Sequence, residues 1–267
     1  MISGRLKRLV GTGLAVALAA TLVTSAWADD GGGFMPTSHP FLLGNLIGTS
    51  QNWAGWAAYA GLAGLAQPGA VSYVKGEWVV PAVSCGSTDA ASSVWVGIDG
   101  VYNGVVEQVG TEQTCTGGVA TYAAWWEMYP APKTPANLAI KPGDSVRAEV
   151  TYVGGGQFVL ALTNLTTGGS FRTTQTSFVA PRQTAEWVVE APWSGGVLPL
   201  ANFGRTSIVN GRATINGKTG SIASAGLLSA LNLQGETMAD LHGLIKATVT
   251  NPALSGGDSF TATWMHS

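Results

Sequence analysis

From Asn52 onward the chain is a succession of short runs of alternating or β-branched residues, each closed by Gly, Pro, Asn or Ser. They read SYVKGEWVVP, SSVWVGIDG, GVVEQVGTEQ, ATYAAWWEMYP, DSVRAEVTYV, QFVLALTNLTTG, AEWVVEAP and DSFTATW. Period-two runs of this length, bounded by turn residues, are strands. Their number and spacing, with no linker or internal repeat between them, predict one all-β domain over residues 51–267, a sandwich or a barrel. Only SIASAGLLSALNLQ and ETMADLHGLI leave room for a short helix. Composition agrees, since charged residues make up 10% of the chain and the Lys, Glu and Arg that coat exposed helices are scarce. Gly154-Gly155-Gly156 reads as a hairpin turn, because no helix pattern follows it to make a phosphate cradle.

The start of the chain follows a different plan. Arg5, Lys7 and Arg8 precede an apolar run from Leu9 to Val23, and Ala26-Trp27-Ala28 closes the segment, the layout of a secretory signal cleaved after Ala28. The apolar run is too short for a membrane anchor, which needs roughly 20 residues. An exported chain, extracellular or periplasmic, is therefore expected, with no membrane attachment after cleavage. Residues 29–50 read as a leader: a short propeptide or an ordered arm. Losing three basic residues and no acidic one leaves the remainder mildly acidic, with no Lys/Arg excess to neutralise phosphates, so nucleic acid is not an expected partner. A monomer is expected. In an oxidising compartment Cys85 and Cys115 are expected to pair as a disulfide. A nucleophilic thiol would need a nearby base, and His39, His242 and His266 lie far from both cysteines in sequence.

Several chemistries have no foothold. The sequence contains no HExxH, no pair of CxxC, no Walker loop and no GxSxG elbow, so no metal or cofactor is expected. Asn164-Leu165-Thr166 matches a glycosylation sequon, a tripeptide common by chance. What stands out is where the few charges are spent. Residues of one parity in a strand share a face. Trp95, Gly97 and Asp99 therefore lie together, as do Val106, Gln108, Gly110 and Glu112; Trp125, Glu127 and Tyr129; and Glu186, Val188 and Glu190. Such faces could be the wet side of a sheet. Exposed indoles among carboxylates more often mark a binding surface.

At these same segments the chain resembles the glutamic peptidases, or eqolisins. The motifs NWAGW (52–56), GEWVVP (76–81), SSVWVGIDG (92–100), VEQVGTEQ (106–113), YAAWWEMYP (122–130) and TAEWVVEAP (184–192) follow in the family's order. The resemblance implies an antiparallel β-sandwich of two sheets with a concave substrate cleft, and a secreted acid endopeptidase acting on proteins or peptides. It implies that Gln108 and Glu186 form the catalytic dyad. Trp53, Trp95, Asp99, Trp125, Glu127 and Tyr129 fall on the family's cleft positions. Two departures leave subsite preference open: Ala123 lies in a stretch where fungal members often carry an aspartate, and Met128 stands where they carry a tryptophan. The short leader and export signal look like the bacterial branch.

The chemistry is reasonable without the family. A carboxylate takes a proton from water, a primary amide donates to the oxyanion, and the same carboxyl returns the proton to the leaving amine. Such a base must be ionised at rest, and a free Glu titrates near 4.3. Two rival readings use the same residues. A lectin-like sandwich would take the aromatics as sugar platforms, and a glycoside hydrolase would pair Glu127 with Glu186, or Glu186 with Glu190.

Overall fold

The computed structural model describes residues 46–62, 65–225 and 233–267. Its strands are β1 (Leu46–Ser50), β2 (Trp53–Tyr59), β3 (Gly61–Leu62), β4 (Leu65–Ala66), β5 (Val71–Val79), β6 (Ala90–Ile98), β7 (Val106–Thr116), β8 (Val119–Tyr129), β9 (Thr134–Pro135), β10 (Ser145–Gly154), β11 (Gln157–Asn164), β12 (Ser170–Thr176), β13 (Thr184–Glu190), β14 (Arg205–Ile215), β15 (Lys218–Ser221), β16 (Leu233–Ala239), β17 (Ile245–Val249) and β18 (Phe260–Trp264). A single helical turn, α1 (Ile222–Ala225), follows β15.

Two layers follow from the pairing. One runs β12-β11-β10-β5-β14 and the other β18-β17-β16-β2-β13-β6-β7-β8-β9, with every neighbour antiparallel. The strand β14 joins them. Its Arg205–Ile208 half pairs with β18 and its later half with β5, the register shifting across Asn210, whose φ of 52° breaks the extended run. Residues of one parity from each layer meet in the core: Trp56, Trp187, Val94 and Val96 from one side, Trp78, Phe158, Leu160 and Leu162 from the other. Two of the core indoles satisfy their N–H groups across the layers. Trp78 donates to Thr111 Oγ1 at 3.0 Å and Trp187 to the Lys75 carbonyl at 2.7 Å. The all-β sandwich is thus the observed architecture.

The expected signal segment and most of residues 29–50 lie outside the described residues, but residues 46–50 form β1, paired parallel with β16. Of the two stretches that left room for a short helix, the first contains one and the second does not. In the first stretch only α1 is helical among the described residues. The second is a hairpin from β16 to β17, because the Asp240 carboxylate accepts from the His242 and Leu244 N–H groups and Gly243 takes φ 81°. Gly154–Gly156 turn β10 into β11 as read, all at positive φ. Asn164 of the sequon is fully buried, its side chain donating to Asp144 at 2.8 Å. Cys85 and Cys115 are joined, with a Cα–Cα separation of 5.4 Å.

Candidate active site

The side chains on the sheet face opposite the core are arranged in rows that the strand register sets. One row crosses five strands: Ala57 on β2, Glu186 on β13, Gly97 on β6, Gln108 on β7 and Glu127 on β8. The two residues expected to form a dyad are therefore two strands apart, roughly 10 Å between backbones at about 4.8 Å per strand, and the position between them has no side chain. A Cβ at Gly97 would lie 3.0–3.2 Å from the Trp95 ring, Val106 and the Gln108 Cβ. Glycine here lets the Trp95 ring, Val106 and the Gln108 side chain approach the strand between Glu186 and Gln108.

The next row holds Val188, Trp95, Gly110 and Trp125. Gly110 is dictated by close approach, since a Cβ there would stand 2.3 Å from the Val94 carbonyl and 2.6 Å from the Trp95 Cβ. Trp53, Trp95, Val106, Trp125, Tyr129 and Val188 form an apolar cluster separate from the core. The four predicted aromatic residues are thus brought together. They are not exposed platforms, for none exceeds 9% exposure; they pack on one another as a floor.

Each polar residue of the face has a distinct set of partners. Glu186, fully buried, accepts at Oε1 from Thr184 Oγ1 (2.8 Å) and the Val101 N–H (2.9 Å). Its Oε2 has no partner among the described residues. Burial pushes its carboxyl well above the ordinary range, against those two donors, and the nearby Asp99 and Glu190 push it further. Gln108 donates from Nε2 to Glu127 Oε2 at 2.5 Å, leaving one amide hydrogen and Oε1 uncommitted among the described residues. Burial raises Glu127 to about 7, opposed by Lys133 and Gln108. Glu190 accepts from Trp95 Nε1 (2.8 Å) and Asn52 Nδ2 (3.0 Å), and burial lifts it to about 8.

Asp99 sits apart from the row. At φ 70°, its carboxylate accepts from the Gln183 N–H (2.6 Å), the Arg182 N–H (2.7 Å) and Asn103 Nδ2 (3.0 Å). These bonds tie the loop carrying Val101 to the segment entering β13 at Thr184, and so fix both donors to Glu186. Beneath it lies Glu107, 1% exposed, raised by burial and by the Asp99 charge. The sequence reading missed Glu107, because its parity assigns it to the core side and nothing local announces a buried acid there. It also missed Gln234 and Glu236 on β16. Gln234 pairs with Ala57, on the other side of Glu186, and donates to Glu236 Oε1 at 2.6 Å. Their alternation is legible in LQGETMA, which straddles the two stretches that left room for a short helix.

Among the described residues no group of three or more His, Cys, Asp or Glu side chains is placed to hold a metal ion. The profile described as the Peptidase A4 family matches residues 51–264. The chain belongs to that family. Among Peptidase A4 relatives, scytalidopepsin B of Scytalidium lignicola is 34% identical over 116 residues, a match spanning 42% of this chain and 43% of the relative's length. Scytalido-glutamic peptidase, solved with a transition-state analogue inhibitor, superposes with a TM-score of 0.65 at 22% identity, covering 80% of this chain and 98% of that one. Aspergilloglutamic peptidase from Aspergillus niger superposes with a TM-score of 0.56 at 28% identity, covering 66% of this chain and 99% of that one. The motif resemblance and the observed sandwich therefore point the same way. The two carbohydrate readings are not favoured.

Proposed function

We propose that this chain is a secreted acid endopeptidase in which Glu186 and Gln108 hydrolyse peptide bonds through an activated water. The observation that carries the reading is the register row in which the two residues flank a glycine, with one carboxylate oxygen and part of one amide uncommitted. A water and the scissile carbonyl fit the space over Gly97. Glu186 Oε2 takes a proton from the water as its oxygen bonds to the carbonyl carbon. The second Nε2 hydrogen of Gln108 donates to the developing oxyanion. Glu186 then passes the proton to the amide nitrogen, the C–N bond breaks, and amine and acid leave with the dyad restored.

Glu127 holds the Gln108 amide in orientation. Trp53, Trp95, Trp125 and Tyr129 supply an apolar floor for substrate side chains. Asp99, whose carboxylate is spent on three protein donors, acts as a positioning residue for Glu186. Proteins or peptides are the substrates, residues 1–28 direct export, and the working form is a monomer. An ionised base at rest was the sequence-based expectation. Burial instead favours the protonated carboxyl in acid, so the ionised fraction of Glu186 sets the acid side of the pH profile.

The test is hydrolysis of a denatured protein by purified chain lacking residues 1–28, from strongly acid to neutral pH, with chelator and thiol reagents as controls. Activity is expected on the acid side of neutrality, unaffected by either reagent and absent in Glu186→Gln. Loss with chelator, or full activity in that variant, overturns the mechanism.

A further inference from the structure

A second groove opens beside the catalytic face. A cavity of about 360 Å³ is lined by Ser93, Trp125, Glu127, Glu190, Trp193 and Leu198. Trp193 and Leu198 also line an adjoining groove of about 610 Å³, which runs on past Gln51 to Asp240, His242 and Lys246. The path from the dyad row into this groove is continuous along the side chains that follow β13.

Lys246 is the unusual member. It is only 6% exposed, and among the described residues no hydrogen bond or ion pair reaches its ammonium group. Its carbonyl accepts from the Met265 N–H at 2.8 Å and the His266 N–H at 3.3 Å, which fixes the root of the side chain. Asp240, which lines the same groove, has one carboxylate oxygen, Oδ1, held by the His242 and Leu244 N–H groups. The charged and titratable groups around the site are thus Asp240, His242, His266 and the carboxylate of Ser267; Asp240 acts on the lysine through its charge, but among the described residues neither carboxylate comes within 4 Å of the ammonium. Burial pushes the lysine below its ordinary range. A buried cation without a partner is costly, and its cost is recovered when an anion arrives.

We propose that this groove is a distal substrate subsite in which Lys246 binds a carboxylate of the peptide, either an Asp or Glu side chain or the peptide's own terminal carboxylate. The inference rests on the peptidase reading of the dyad. Glu190 lies four residues along β13 from Glu186, roughly 14 Å at about 3.4 Å per residue. An extended peptide needs about four residues to cover that span. The carboxylate is therefore four or more residues from the cleaved bond.

The experiment compares kcat/KM for a set of amidated peptides carrying one Glu, or Gln in its place, at each position three to seven residues on either side of a fixed cleavage site. A parallel set ends in a free carboxylate three to seven residues after the cleavage site. At pH 5, one position at least four residues out is expected to favour the charged peptide by about tenfold, the size of one charge-assisted contact. The preference should fade toward pH 3 as the peptide carboxyl takes up its proton near 4.3. It should vanish in Lys246→Met and survive in Lys246→Arg, while an uncharged reference peptide is cleaved equally by all three. Whichever set shows the effect identifies the source of the carboxylate. No preference at any position, or one that persists in Lys246→Met, overturns the subsite. Loss of reference-peptide cleavage in Glu186→Gln is measured alongside, so that failure of the dyad is seen separately from failure of the subsite.

Discussion

Glu186 and Gln108 have different jobs on one row, and their variants should fail differently. Glu186→Gln keeps the volume and the two donors at Oε1 but removes the base, so kcat should fall by about 10²–10⁴-fold or more with an unchanged far-UV spectrum. Gln108→Ala removes the oxyanion donor and should lower kcat by about 10²–10³-fold. A change confined to KM would make Gln108 a substrate-binding residue. Gly97→Ala tests the space between them. Its Cβ, at 3.0–3.2 Å from three neighbours, intrudes where water and carbonyl must sit. At least about a tenfold loss of kcat/KM is expected, since small misplacements at a reacting centre are expensive. Wild-type turnover in Gly97→Ala would move the reaction away from that row.

The strands β6 and β7 carry this row and are stapled where the chain enters one and leaves the other. Cys85 precedes β6, Cys115 is the penultimate residue of β7, and thirty positions separate them. In the chain-entropy account, closing such a loop stabilises the fold by about 3–4 kcal/mol. The double variant Cys85→Ser/Cys115→Ser should lose that amount in denaturant unfolding, with kcat little altered because the register row stays hydrogen-bonded. A loss under about 1 kcal/mol would show that the sheet needs no staple.

Buried carboxyls give the whole molecule its pH response. Burial raises Glu190 to about 8 and Glu127 to about 7, and raises Glu107 and Glu186 as well. A carboxyl raised in the folded state binds a proton that the unfolded chain has released. Its stabilisation is complete below about 4.5, the ordinary value, and is lost as pH rises through the folded values near 7 and 8. Glu77 opposes this: although burial works the other way, Asn210 and Arg147 hold it low, and its contribution is lost as pH falls below 4.5. Burial also raises Asp99 to about 6 and Glu236 to about 7, while the Leu244 and His242 N–H groups hold Asp240 low. Two groups oppose six, so the melting temperature should be highest in acid and lower by more than about 5 °C at pH 8. A flat or rising profile would contradict these environments. Activity follows a related curve. The acid limb of kcat/KM should lie above 4.5, where Glu186 ionises, and the alkaline limb near 7–8, where Glu127 and Glu190 become charged. Glu127→Gln should shift the alkaline limb alone.

Alternation is a local property, so the strands around Trp95, Gln108, Trp125 and Glu186, the face each side chain takes and the all-β class were determined by sequence alone. So was the family resemblance, because its motifs are those same strands. Pairing is not local. That β13 lies between β2 and β6, putting Gly97 between Glu186 and Gln108, depends on contacts between segments roughly 90 and roughly 130 residues apart, which no short pattern encodes. The switch of β14 between layers at Asn210 is likewise a tertiary event. Asp99 looked like a cleft residue because its parity matched Trp95, yet a positive φ and three donors turned its carboxylate toward the loops. The hairpin in ETMADLHGLI prevailed because β16 found partners in β2 and β1, and tertiary pairing outweighs a weak local preference. Burial was decided last. Whether a carboxyl holds its proton, or a lysine such as Lys246 lacks a partner, depends on what the completed fold removes from water, and that is settled only when distant strands close around it.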